Sequence, residues 1–146
     1  MRFSKIDLQI EDLMWFGVDT QGCIVEFTTG GSANVPEFVC RSREDAETLE
    51  NYFTNLTPTT TAHMLIGRDL GTLKEDARRL AGCGIYCYDA AYEEDGTPTN
   101  QYHKIAFPEK PLKLDDLPER IKSIIGDHLV NADAAADQYI QVDHAY

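Results

Sequence analysis

Residues 84 to 107, GIYCYDAAYEEDGTPTNQYHKIAF, constrain the fold most. Asp95-Gly96 stands between two segments rich in aromatic and β-branched residues, and Asp and Gly accept the positive φ angles of a tight turn. A β-hairpin is the expectation. A second one is predicted near the N-terminus, where the aromatic run LMWFGV (Leu13 to Val18) meets the turn DTQG and then CIVEFTT, whose alternation puts Cys23, Val25 and Phe27 on one face.

Helical patterns separate and follow the hairpins. SREDAETLENYFTNL lines up Ala46, Leu49, Phe53 and Leu56 in one stripe, with Ser42 placed as N-cap and Asp45 three residues on. A second helix is predicted from Thr72, with Glu75 completing a capping box, Leu73, Ala77 and Leu80 facing inward and Gly82 at its C-terminal cap. The third opens at DDLPERIKSII, with Asp116 as N-cap, Pro118 in the first turn, and Leu117, Ile121, Ile124 and Ile125 as the buried stripe. Between them, AHMLI (62 to 66) and Tyr139 to Val142 read as short strands. Because the main strands come as hairpins, the expected fold is α+β: an antiparallel sheet built from two β-hairpins with about three helices on one face. At 146 residues, residues 1–146 are expected to form one compact domain.

The charge balance narrows the partners. Twenty-five acidic residues against thirteen basic ones give a net charge of -12. Residues 1 to 60 hold ten acids and four bases, so the excess is spread along the chain. Such a chain repels phosphate backbones and anionic lipid, which excludes nucleic acid and membrane as expected direct partners. Solubility accounts for the same charge, and so does docking onto a basic protein. The N-terminal stretch lacks the apolar run of a secretory signal, and no segment approaches the roughly 18 apolar residues of a membrane span. A cytoplasmic location is therefore expected, with Cys23, Cys40, Cys83 and Cys87 as reduced thiols.

Motifs that carry chemistry are scarce. FTTGGSANVPEFVCRS (Phe27 to Ser42) resembles a ligand cradle at first sight, since two glycines follow a strand. A phosphate cradle needs a nearby cation and a helix N-terminus, and neither falls within reach of Gly30-Gly31. The stretch is predicted to connect, running extended from Val35 to Cys40 into the Ser42 cap. Cys83 and Cys87 lack zinc-ligand spacing and the four histidines are scattered, so no metal and no cofactor are expected. His103 is predicted to share a face with Ile105 and Phe107, either as a core-edge residue or as a general base in a pocket with Ser32 and Asn34.

What remains is surface. EDLMW (11 to 15) and YDAAYEEDG (88 to 96) interleave aromatics with acids, and interface anchors favour Tyr and Trp for their large area and polar tip. Trp15, Tyr88, Tyr92, Glu93, Glu94 and Asp95 are the candidate partner-binding residues, with core or cross-strand packing as the competing account of the aromatics. In size, acidity and absence of a catalytic motif the chain resembles the broad class of bacterial immunity proteins that neutralise toxin domains, often basic nucleases. That likeness implies a non-catalytic binding module and carries no residue positions. Two alternatives stand beside it: an enzyme using His103 or Cys40 with a carboxylate, and a small-molecule regulatory domain with the loop from Gly30 to Pro36 as its lid. A homodimer joined through edge strands stays open.

Overall fold

The structure is a computed structural model that describes residues 1–65 and 72–146, with backbone alone for 72–74. Five α-helices and one 3-10 turn accompany a mixed, strongly curled sheet, so the α+β class holds in its coarse form. In chain order the elements are α1 (Lys5–Ile10), β1 (Met14–Val18), β2 (Ile24–Thr28), α2 (Glu37–Cys40), α3 (Arg43–Thr54), β3 (Ala62–Met64), α4 (Thr72–Gly82), β4 (Tyr86–Tyr92), β5 (Pro98–Pro108), the 3-10 turn Leu114–Asp116, α5 (Glu119–Ile125) and β6 (Tyr139–Gln141).

Both predicted hairpins form. β1 pairs antiparallel with β2 across a turn in which Gly22 takes φ +80°, and β4 pairs antiparallel with β5 across a turn in which Gly96 takes φ +87°. The hairpins join through a parallel seam, Val25 opposite Tyr86 and Phe27 opposite Tyr88, which corrects the all-antiparallel expectation. A connection that includes α2, α3, β3 and α4 returns the chain to the end of the sheet it left, so β4 runs alongside β2 in the same direction. The strand order is β1-β2-β4-β5-β3, and β6 pairs with β5 as well.

Local signals explain most element ends. Ser42 Oγ accepts the Asp45 N–H at 3.1 Å and opens α3, which buries Leu49 and Phe53 as predicted. Asp116 does not cap α5. Pro118 pushes the preceding Leu117 into extended backbone, φ -86° and ψ 151°, so a 3-10 turn ends there and the helix starts at Glu119. Val35 to Cys40 is not extended throughout, because α2 turns once after Pro36. The capping box at Thr72, the inward Leu73 and the last residue of the predicted AHMLI strand lie outside the described residues and side chains; β3 itself spans Ala62–Met64.

The sheet is buried on both faces. Against one lie Leu49 and Phe53 from α3, Ala77, Leu80 and Ala81 from α4, Leu117 just before α5, and Ile121 and Ile125 from α5, over Phe16, Ile24, Ile85, Cys87 and Ile105. Helices therefore do pack on one face. The opposite face carries Trp15, Val25, Phe27, Tyr86, Tyr88 and Tyr102 under the N-terminal segment, the loop from Val35 to Cys40 and the tail from Val130 to Val142. Cys23, Val25 and Phe27 share this face, as their alternation implied. A bulge in β5 changes another expectation: Cys87 opposes Ala106 and Tyr88 opposes Lys104, leaving Ile105 as an extra residue. Ile105 and Ala106 both turn to the helices while Phe107 joins the aromatic face, so His103 and Phe107 do not share a side.

Candidate interaction surface and a buried polar row

The β4–β5 turn ends the sheet in an acidic tip. Glu93, Glu94 and Asp95 are exposed, with the turn closed by Glu93 N–H on the Thr97 carbonyl at 2.8 Å and by Thr97 N–H on the Asp95 carboxylate at 2.9 Å. Tyr92 leaves the tip with 43% of its surface exposed. Its hydroxyl donates to the carbonyls of Thr29 and Gly30, at 3.0 and 2.9 Å, so the ring is pinned while its outer side stays free. Burial of the hydroxyl end raises the phenol's pKa, and the charges of Asp89 and Asp12 push the same way.

The Gly30-Gly31 loop is the floor of this tip. Both glycines take positive φ, +60° and +83°, and a Cβ on Gly30 would come within 2.8 Å of the Tyr92 hydroxyl. Gly30 donates its N–H to the Asp12 carboxylate at 2.9 Å. Asp12 thereby joins the acidic tip from the end of α1, whose Ile6 and Ile10 stand 68% and 75% exposed. Residues 11–40 and 84–103, which carry this surface, contain no Lys or Arg.

Trp15 and Tyr88 do not belong to it. Trp15, 2% exposed, stacks on Phe27 at 4.0 Å between ring centroids, and Tyr88 is fully buried beside Phe27 at 5.6 Å. β1 and β4 are interior to the molecule on the aromatic face, so their large rings form core. Of the six candidates, Tyr92, Glu93, Glu94 and Asp95 lie on the surface.

Ser32, Asn34 and His103 do not converge either. Ser32 is buried and its hydroxyl accepts the Asn34 N–H at 3.1 Å; the Asn34 amide donates to the Thr99 carbonyl. Asn34 ties the loop to β5, its carbonyl also accepting the Tyr102 hydroxyl at 2.7 Å on the aromatic side, whereas His103 points to the helical side. Val35 is fully buried, so the loop packs into the core. Among the described residues a concavity of about 650 Å³ opens between α2 and the tail, lined by neither residues 30–35 nor His103. Cys40 is buried and its thiol is pushed up to about 11 by that burial, the opposite of what an activated nucleophile needs. All four cysteines are free and buried.

The helical face holds a polar row that the sequence reading missed. Strand register aligns Met14, Thr28, Asp89 and His103 across β1, β2, β4 and β5, and the next row aligns Phe16, Glu26 and Cys87. Glu26 is 2% exposed and accepts the Thr28 hydroxyl at 2.6 Å. Burial drives its pKa up to about 8; hydrogen bonds from Thr28 and Cys87 oppose the shift, and the charges of Asp89 and Asp76 add to it. Asp89 is raised by burial and held back by His103 opposite it. The only sequence signal was an acid at an inward position of an alternating strand. Among the described residues no group of three or more His, Cys, Asp or Glu side chains could hold a metal ion, and no helix is long and apolar enough to cross a membrane. Compared with known protein families, curated proteins and solved structures, the chain matches none.

Proposed function

We propose that this chain is a non-catalytic protein-binding module of the immunity-protein kind, which docks a basic protein partner on the tip formed by Tyr92, Glu93, Glu94, Asp95 and Asp12. The observation that carries this reading is the pinned ring of Tyr92, an aromatic anchor whose order is fixed before binding, beside Asp12 and Asp89 and next to Glu93, Glu94 and Asp95 in the chain. Such an anchor loses little conformational entropy on docking, and the carboxylates steer a cationic partner to it. In cells the reading places the protein in the cytoplasm, without a membrane or nucleic-acid partner.

The test is co-expression with the products of the genes that flank its own, followed by association kinetics with any product that co-purifies. A complex whose on-rate falls steeply between low and physiological salt is the expected result, together with at least a tenfold slower association for the triple charge reversal E93K/E94K/D95K. A salt-insensitive on-rate, or a triple reversal that binds as fast as the native chain, rejects this surface.

A second reading, acid–base chemistry at His103, draws on one observation: Asp89 stands directly opposite it and the neutral Glu26 lies in the adjacent row. That arrangement could hold and move a proton.

A further inference from the structure

Glu26 is a carboxylic acid in a place where a carboxylate is poorly tolerated. It lies on the helical face of β2, and every titratable group described around it is neutral or acidic. From β2 itself comes the Thr28 hydroxyl; from β4 come Cys87 beside it and Asp89 one row on; from α4 comes Asp76; from β1 comes only the ring of Phe16. His103 on β5 acts on Asp89, and the buried amine of Lys104 turns to the aromatic face over Tyr86, Tyr88 and Phe107. Beside Glu26, α4 packs on β4, where its Ala77 carbonyl receives the Cys87 thiol at 3.6 Å, while Phe53 of α3 lies against Phe16 on the other side. Among its described side chains α4 buries Ala77, Leu80 and Ala81, against Ile121 and Ile125 in α5 and Leu49 and Phe53 in α3. Two of the three buried side chains described on α4, Ala77 and Ala81, are alanines.

We propose that Glu26 is a proton-controlled latch for α4: protonated, it lets the helix close over β4 beside it, and once ionised it loosens α4 while the two hairpins stay paired. The ionised form is opposed by the desolvated site and by two like charges, Asp76 and Asp89. Water reaching Glu26 from under a lifted helix relieves both.

The sign follows from the two states of the contact. With α4 open, Glu26 is solvated and titrates near its ordinary value of 4.5; with α4 closed it titrates at about 8. Below 4.5 the proton is bound in both states and pH has no effect. Between these values the closed form keeps a proton that the open form loses, so closure weakens as pH rises, by up to about tenfold per pH unit in the opening constant. Above about 8 the dependence levels off.

Amide hydrogen exchange of the full chain at pH 6, 7, 8 and 9, corrected for intrinsic rates, reads the latch directly. The expected result is an opening constant for α4 that rises at least thirtyfold from pH 6 to 8, with α3 and α5 changing less than threefold, and a flat profile in Glu26→Gln, whose amide oxygen still accepts the Thr28 hydroxyl. Equal slopes in native and Glu26→Gln protein overturn the proposal. So does a loss of protection shared by all helices, which would be global unfolding. Should the variant fail to fold, carbon-13 NMR titration of the native Glu26 carboxyl decides: a midpoint near 8 that coincides with α4 opening supports the latch, and one near 4.5 rejects it.

Discussion

The two faces of the sheet are buried by different means. Three helices cover one, and they satisfy their own backbone, so apart from the row around Glu26 the contact is apolar: Phe16, Ile24, Ile85 and Ile105 on the strands meet Leu49, Phe53, Leu80, Ile121 and Ile125 on the helices. Two short helices and irregular chain cover the other, and irregular chain brings carbonyls that need donors. The residues that meet it are tyrosines and a tryptophan. Tyr88 directs its hydroxyl between the carbonyls of Ala134 and Asp137, Tyr102 donates to the Asn34 carbonyl at 2.7 Å, and the Trp15 indole N–H reaches the Tyr102 hydroxyl at 3.4 Å. The lesson is that an aromatic-rich strand face accommodates a coil cover, because each phenol supplies apolar area and a donor together.

Four substitutions probe that contrast. Trp15→Ala removes the ring stacked on Phe27 at the centre of the aromatic face, and its expected cost of about 3–5 kcal/mol should show in the urea midpoint. A loss under 1 kcal/mol would mean the coil-covered face contributes little. Tyr88→Phe and Tyr102→Phe keep the area and delete the donor, so each is expected to cost about 1–3 kcal/mol. Hydrogen exchange should then rise near residues 133–138 for the first and 32–35 for the second, and unchanged exchange in both would deny the donor role. On the helical face the corresponding backbone need is met locally: Ser42→Ala, which deletes the cap of α3, should cost about 1 kcal/mol and leave the aromatic face intact by near-ultraviolet circular dichroism.

How much of this the chain announces differs by face as well. The helical face was legible, since period and caps named Ser42, Leu49, Phe53, Ile121 and Ile125 before any coordinates. Its cover follows a pattern of 3.6. The aromatic face has no such pattern in its cover, because coil has no period. α1 is the exception, as Ser4 and Asp7 form a full capping box that the sequence displays and our reading passed over. At the candidate surface, the turn acids and Tyr92 were legible from Asp95-Gly96 alone. Asp12 was not, since its place depends on the glycine loop, and neither was the Glu26 row, which exists only once β2 meets β4. The bulge at Ile105 likewise has no signature in the sequence and reverses where Phe107 points.

The parallel seam also dictates the order of assembly. Each hairpin closes a turn of a few residues and can form on the microsecond scale. The seam instead unites Val25 with Tyr86, far apart along the chain, and must wait for the segment bearing α3 and α4 to fold back. Folding of this molecule is therefore expected to be limited by the meeting of two preformed halves, with the loop-closure entropy of the intervening chain setting the barrier.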